Sequence, residues 1–141
     1  MSFFSFFASP RFLSRVMAAD AVSCAATGAL QLLFGTALAR WTGLPAPLLL
    51  ATGVFLLAYA GAAAWMARRA LPPRRLIGLV VAGNFAWGLA CIGLLAVAGS
   101  AIAAPGWAWV LAQAVVGVVF AELQWMGLRR SRATAPRALA A

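Results

Sequence analysis

The chain has two carboxylates, Asp20 and Glu122, and each stands inside an otherwise apolar stretch. A carboxylate in hydrocarbon is costly to ionise without a partner. Each is therefore a candidate proton or cation site, an ion-pair anchor, or a contact with another helix. Histidine is absent, which removes the usual general base, bis-histidine haem ligation and His-based zinc sites. Cys24 and Cys91 also fall in apolar runs, and two thiols without other soft ligands make a poor metal site. No nucleophile is paired with a base, and no glycine-rich phosphate loop occurs. The expectation is a non-enzymatic chain that holds no cofactor and no metal.

The elements that must position these groups are membrane spans. The sequence runs to 141 residues, one domain at most, with 65% hydrophobic and 9% charged residues. Lipid is then the solvent for most of its surface. Four apolar stretches of about 20 residues, long enough at ~1.5 Å per residue to cross the ~30 Å hydrocarbon core, cover 16–39, 48–67, 76–98 and 107–128. Proline at 45, 47, 72, 73 and 105 separates them. The fold class is all-α: a polytopic four-helix up-down bundle over 16–128. Residues 1–15 form an aromatic segment suited to the headgroup region, and 129–141 a basic, polar tail. Ala37-Leu38-Ala39 resembles a signal-peptidase site, but the stretch before it is longer than an ordinary signal core and carries Asp20 and Gln31, so helix 1 is expected to stay.

All eleven basic residues are arginine, and ten of them lie in the N-terminal segment, the central connection or the tail. The positive-inside rule places both termini and the central loop in the cytoplasm, giving a multi-pass protein of the inner membrane. The arginines sit in short groups at helix ends with no continuous basic face, so a net charge of +9 does not point to nucleic acid.

Each helix carries one polar stripe. At 100° per residue Asp20, Cys24, Thr27 and Gln31 share an arc of helix 1. Thr52 and Tyr59 do so on helix 2, Asn84, Gly88 and Cys91 on helix 3, and Gln113, Gly117 and Gln124 on helix 4. Such stripes bring membrane helices together. Counted from the flanking arginines, Asp20 lies ~7 Å inside the boundary, and Tyr59 and Asn84 ~13 Å. Those three form a candidate polar layer, with Gln31 further along a candidate path. The bland alternative is that Asp20 pairs with Arg15 or a central-loop arginine and only fixes helix 1 in depth. Glu122, ~10 Å inside, points away from Gln113 and Gln124. It either folds back to Arg129 or meets a second protomer or partner protein.

At an offset of sixty residues Arg15 matches Arg75, Gly28 matches Gly88, Pro45 matches Pro105, and Trp65-Met66 matches Trp125-Met126. That pattern admits two tandem hairpins, and equally the common needs of any two membrane hairpins.

The segments GALQLLFG, GLPAPLLL, GVFLLAYA, GNFAWGLA and AELQWMGLRR resemble a group of small four-helix bacterial integral membrane proteins with no assigned chemistry. The resemblance implies location and fold, and no activity. Two functional readings follow from the residues. One is a non-enzymatic membrane subunit or accessory protein, oligomeric or bound to a membrane partner. The other is a small proton-coupled transporter or channel element using Asp20, with Gln31, Tyr59 and Asn84 along the path.

Overall fold

A computed structural model describes residues 11–69 and 73–134, the stretch 130–134 by its backbone alone. The aromatic segment 1–10 lies outside the described residues. The described chain is helical with no strand: α1 is Phe12–Thr42, α2 Ala46–Ala67, α3 Arg74–Ala98 and α4 Ala104–Thr134, with a 3₁₀ turn at Gly99–Ala101 between α3 and α4. All four helices are long and apolar enough to cross a membrane. Large apolar side chains such as Val22, Leu33, Leu79, Leu89 and Val97 are exposed on the bundle's flanks, which implies contact with a lipid bilayer. This is a four-helix bundle of a membrane protein.

The helices outrun the apolar stretches at their ends. α1 begins at Phe12, so Arg15 lies within its first turn rather than ahead of it. α4 continues through 129–134, because the residues after the apolar stretch lack a proline or glycine until Pro136. The breaks fall at special backbone positions. Gly43 takes φ 75° at the end of α1, and its N–H closes on the carbonyl of Ala39 at 3.0 Å, a left-handed cap that glycine adopts without strain. Pro45 and Pro73 sit extended just before α2 and α3. α1 is kinked at Phe34, next to Gly35.

Packing is by hairpins. α1 lies along α2, α3 along α4, and the hairpins join through α1 and α4, while α2 and α3 keep their backbones apart. Glycine sets both close crossings. A Cβ on Gly28 would stand 2.8 Å from the Gly53 carbonyl oxygen on α2, and one on Gly88 3.0 Å from Val118 on α4. These glycines are the pair that the sixty-residue offset matches.

Both ends of the bundle are filled. At the arginine-poor end the two short connections bond to each other, Ala103 N–H to the Thr42 carbonyl at 3.0 Å. Gly106 packs so close to that carbonyl that a Cβ would collide with its oxygen. Leu44, Leu49, Leu95, Ile102 and Val110 form the core beneath. At the arginine end Met17, Met66 and Val80 make one core, and Ile77, Val81 and Leu128 another. Gly127 meets Leu13 and Phe12 there, and the Arg74 guanidinium donates to the Leu128 carbonyl at 3.0 Å. The layer between these cores holds the polar groups.

Candidate functional site

Four helices each send one side chain into a single cluster. Asp20 of α1 is 1% exposed and Gln124 of α4 0%. Oδ2 of Asp20 accepts from Tyr59 Oη–H on α2 at 2.7 Å, from Asn84 Nδ2 on α3 at 3.0 Å and from Gln124 Nε2 at 2.7 Å. Asn84 Nδ2 also approaches Tyr59 Oη at 3.1 Å and Gln124 Oε1 at 3.0 Å. An amide nitrogen has two hydrogens, so it serves two of these three acceptors at a time. Oδ1 of Asp20 has a weaker partner, the Cys24 thiol one turn along α1 at 3.5 Å.

Electrostatically the cluster holds no cation among the described residues. Among the described residues no arginine forms an ion pair with Asp20, so pairing with Arg15 or a central-loop arginine is not what the structure gives. Three neutral donors from three other helices compensate charge on Oδ2 instead, and a proton on this carboxyl group belongs on Oδ1.

Asp20, Tyr59 and Asn84 are therefore brought together, and Gln31 is not. Gln31 lies eleven residues further along α1, ~16 Å away, where its Oε1 accepts from Thr52 Oγ1 of α2 at 3.1 Å. Gln124, which belongs to the polar stripe of helix 4, is the fourth member that depth counting leaves out. Counted from Arg129 it lies ~7 Å inside, at the depth given to Asp20. The apparent depth gap between Asp20 and Asn84 closes because α1 starts at Phe12, which puts Asp20 ~12 Å from the helix start.

Glu122 is exposed and on the opposite side of α4 from Gln124. It makes no ion pair with Arg129, which is also exposed. The geometry thus leaves the fold-back pairing unformed and Glu122 facing away from the bundle.

Two cavities lie between the helices, and the first adjoins the cluster. The first, about 210 Å³, has Asp20, Cys24, Tyr59 and Asn84 at one end and runs past Phe55 and Trp87 to Trp109 and Gln113. The second, about 170 Å³, is lined by Gln31 and Thr52 and shares Trp87, Trp109 and Gln113 with the first. Phe55 and Trp87 stack across the gap between α2 and α3 with centroids 5.8 Å apart, and both rings form part of the cavity wall. Trp109 Nε1 is the one buried side-chain nitrogen or oxygen among the described residues with no hydrogen-bond partner. Both cysteines are free thiols, and the described residues contain no group of three or more metal-ligating side chains.

Comparison with known proteins adds no relative to this geometry: no family model, no curated protein and no solved structure matches the chain.

Proposed function

We propose that this chain is a small, non-enzymatic membrane carrier in which Asp20 exchanges a proton for a cationic ligand. One observation carries the reading. A buried carboxylate, held by donors from three other helices and paired with no cation among the described residues, lines a cavity in the middle of the bundle. An acid kept only to bind helices together has no need of adjoining space, whereas a site that loads and unloads requires it. Asp20 is the exchanging group, Tyr59, Asn84 and Gln124 hold its Oδ2, and Gln31 with Thr52 marks the far end of the path. The arginine distribution supports a bacterial inner-membrane location with both termini cytoplasmic.

The test is proton movement across liposomes that hold the full chain, read with an enclosed pH dye when a cationic solute is added outside and compared with protein-free liposomes. Protein-dependent proton release is expected and should be lost in Asp20→Asn. No proton movement beyond that of protein-free liposomes, with the wild-type protein folded, ends the carrier reading.

A second reading, an accessory subunit, draws on Glu122, an exposed acid on a helix that faces lipid. A partner helix offering a donor would relieve it. Unchanged oligomeric state and unchanged co-purifying proteins in Glu122→Leu would remove that reading.

A further inference from the structure

The cavity beside Asp20 opens on the side of the bundle. The core of Met17, Met66 and Val80 fills the arginine end, and toward the other end the cavity is followed by the second one, whose walls reach Leu44 and Leu49. The lining residues that reach the bundle's surface, Phe55, Gly83, Ala112 and Val116, all lie well inside their helices. A ligand dissolved in the bilayer therefore has a route into the cavity between helices.

The chemistry of the walls narrows the ligand further. Two acceptors are left over in the polar cluster: Asp20 Oδ1, whose partner is only the thiol, and Asn84 Oδ1, which accepts nothing within the cluster. Both call for N–H donors beside a negative charge. Phe55, Tyr59 and Trp87 supply aromatic surface next to them, which favours a cation. At the far end Trp109 Nε1 offers a buried donor with no acceptor, and Gln113 stands beside it. A volume of about 210 Å³ is below the ~300–1,000 Å³ of pockets for drug-sized molecules.

We infer that the site takes a small, lipid-soluble primary or secondary amine, bound as its ammonium ion at Asp20 and Asn84, with a hydrogen-bond acceptor at the opposite end facing Trp109. This rests on the exchange reading of Asp20 and adds to it the ligand class. Binding of the ammonium form displaces the proton of the Asp20 carboxyl group, so one proton leaves for each cation that binds. A quaternary ammonium has the charge but no N–H, and brings no donor to either Oδ1 atom. A neutral alcohol has the donor but no charge.

The probe is 4-methoxyphenethylamine, its methoxy oxygen serving as the acceptor, titrated into the full chain in phosphatidylcholine nanodiscs and read by tryptophan fluorescence and calorimetry. Saturable binding is expected. Asp20→Asn should weaken it about 30-fold or more, as loss of one partner of a buried charge pair does. The N,N,N-trimethyl analogue and the corresponding alcohol should each bind at least about tenfold more weakly, the loss of one good hydrogen bond or charge contact. Because Asp20→Asn alters the cluster itself, Gly83→Phe provides an independent variant. A Cβ at Gly83 meets nothing within 4 Å, so the ring fills the cavity while the polar cluster stays intact, and binding should be lost with thermal stability kept. Equal binding of the primary and trimethyl forms, or unaltered binding in Gly83→Phe, overturns the assignment. Asp20-dependent proton movement with no amine binding also overturns it and leaves the carrier reading standing. Amine binding with no such proton movement removes the carrier reading and keeps the amine site.

Discussion

Asn84→Leu is the most direct probe of the four-helix cluster. The Asn84 amide reaches Asp20, Tyr59 and Gln124 at 3.0–3.1 Å, but its two hydrogens make two bonds at once. Interhelical hydrogen bonds in membranes average ~0.6 kcal/mol and reach ~1.7 kcal/mol. Two of them make the expected loss ~1.2 kcal/mol, with a ceiling of ~3.4 kcal/mol. Leucine is close to asparagine in size, so cavity formation adds little. Asp20→Asn is the contrast. It keeps an acceptor oxygen for Tyr59 and Gln124 and the size of the side chain, so it should unfold within about 1 kcal/mol of wild type. The assay is reversible unfolding in mixed micelles as the fraction of denaturing detergent rises, followed by far-ultraviolet circular dichroism. A cycle with Tyr59→Phe completes it, since the two side chains share a partner and their effects should fall short of additive. Asn84→Leu within ~0.3 kcal/mol of wild type, with strict additivity, would refute a shared cluster.

Two further outcomes follow from local geometry. Gly28→Ala should destabilise the α1–α2 hairpin by roughly 1–3 kcal/mol, because its Cβ meets the Gly53 backbone, while Gly61→Ala, with nothing within 4 Å, should be neutral or slightly stabilising in the same unfolding assay. Trp109→Phe should leave stability unchanged or raise it by up to ~1 kcal/mol, because it deletes a buried donor without a partner. Trp107→Phe, which loses the 2.9 Å bond from Nε1 to the Gly99 carbonyl, should lower stability by ~0.5–1.5 kcal/mol, and thermal melts in micelles order the two.

Much of this architecture is legible in the sequence, for a reason particular to membranes. Arginine, proline and long apolar runs are dictated by the bilayer before any helix meets another, so four helices follow from composition alone. The polar side of each helix is legible too, since 100° per residue is a property of one helix: Gln124 faces in and Glu122, two residues earlier, faces out. Depth is less so. Taking Arg15 as a boundary misplaces Asp20 by about one turn, because an arginine can sit inside a helix and extend its head toward water. What belongs to pairs of helices is not legible at all. The Phe55–Trp87 stack, the unpartnered Trp109 nitrogen and the two cavities depend on gaps left between α2 and α3 and beside α4, and no periodicity encodes a gap. Gln31 illustrates the same limit, sharing a stripe with Asp20 yet bonding to Thr52 more than three turns along α1.

The carboxylate's three strong donors are split unevenly between the hairpins, and that has a consequence for biosynthesis. Tyr59 arrives with the same hairpin as Asp20, whereas Asn84 and Gln124 come with the second. The N-terminal hairpin emerges from the ribosome first and enters the bilayer with its acid one-third served. Only when the later pair of helices docks in the correct register are the remaining donors delivered. A second hairpin shifted by one turn leaves the buried acid without two of its three strong donors, so the same carboxylate that joins the hairpins also penalises their wrong register.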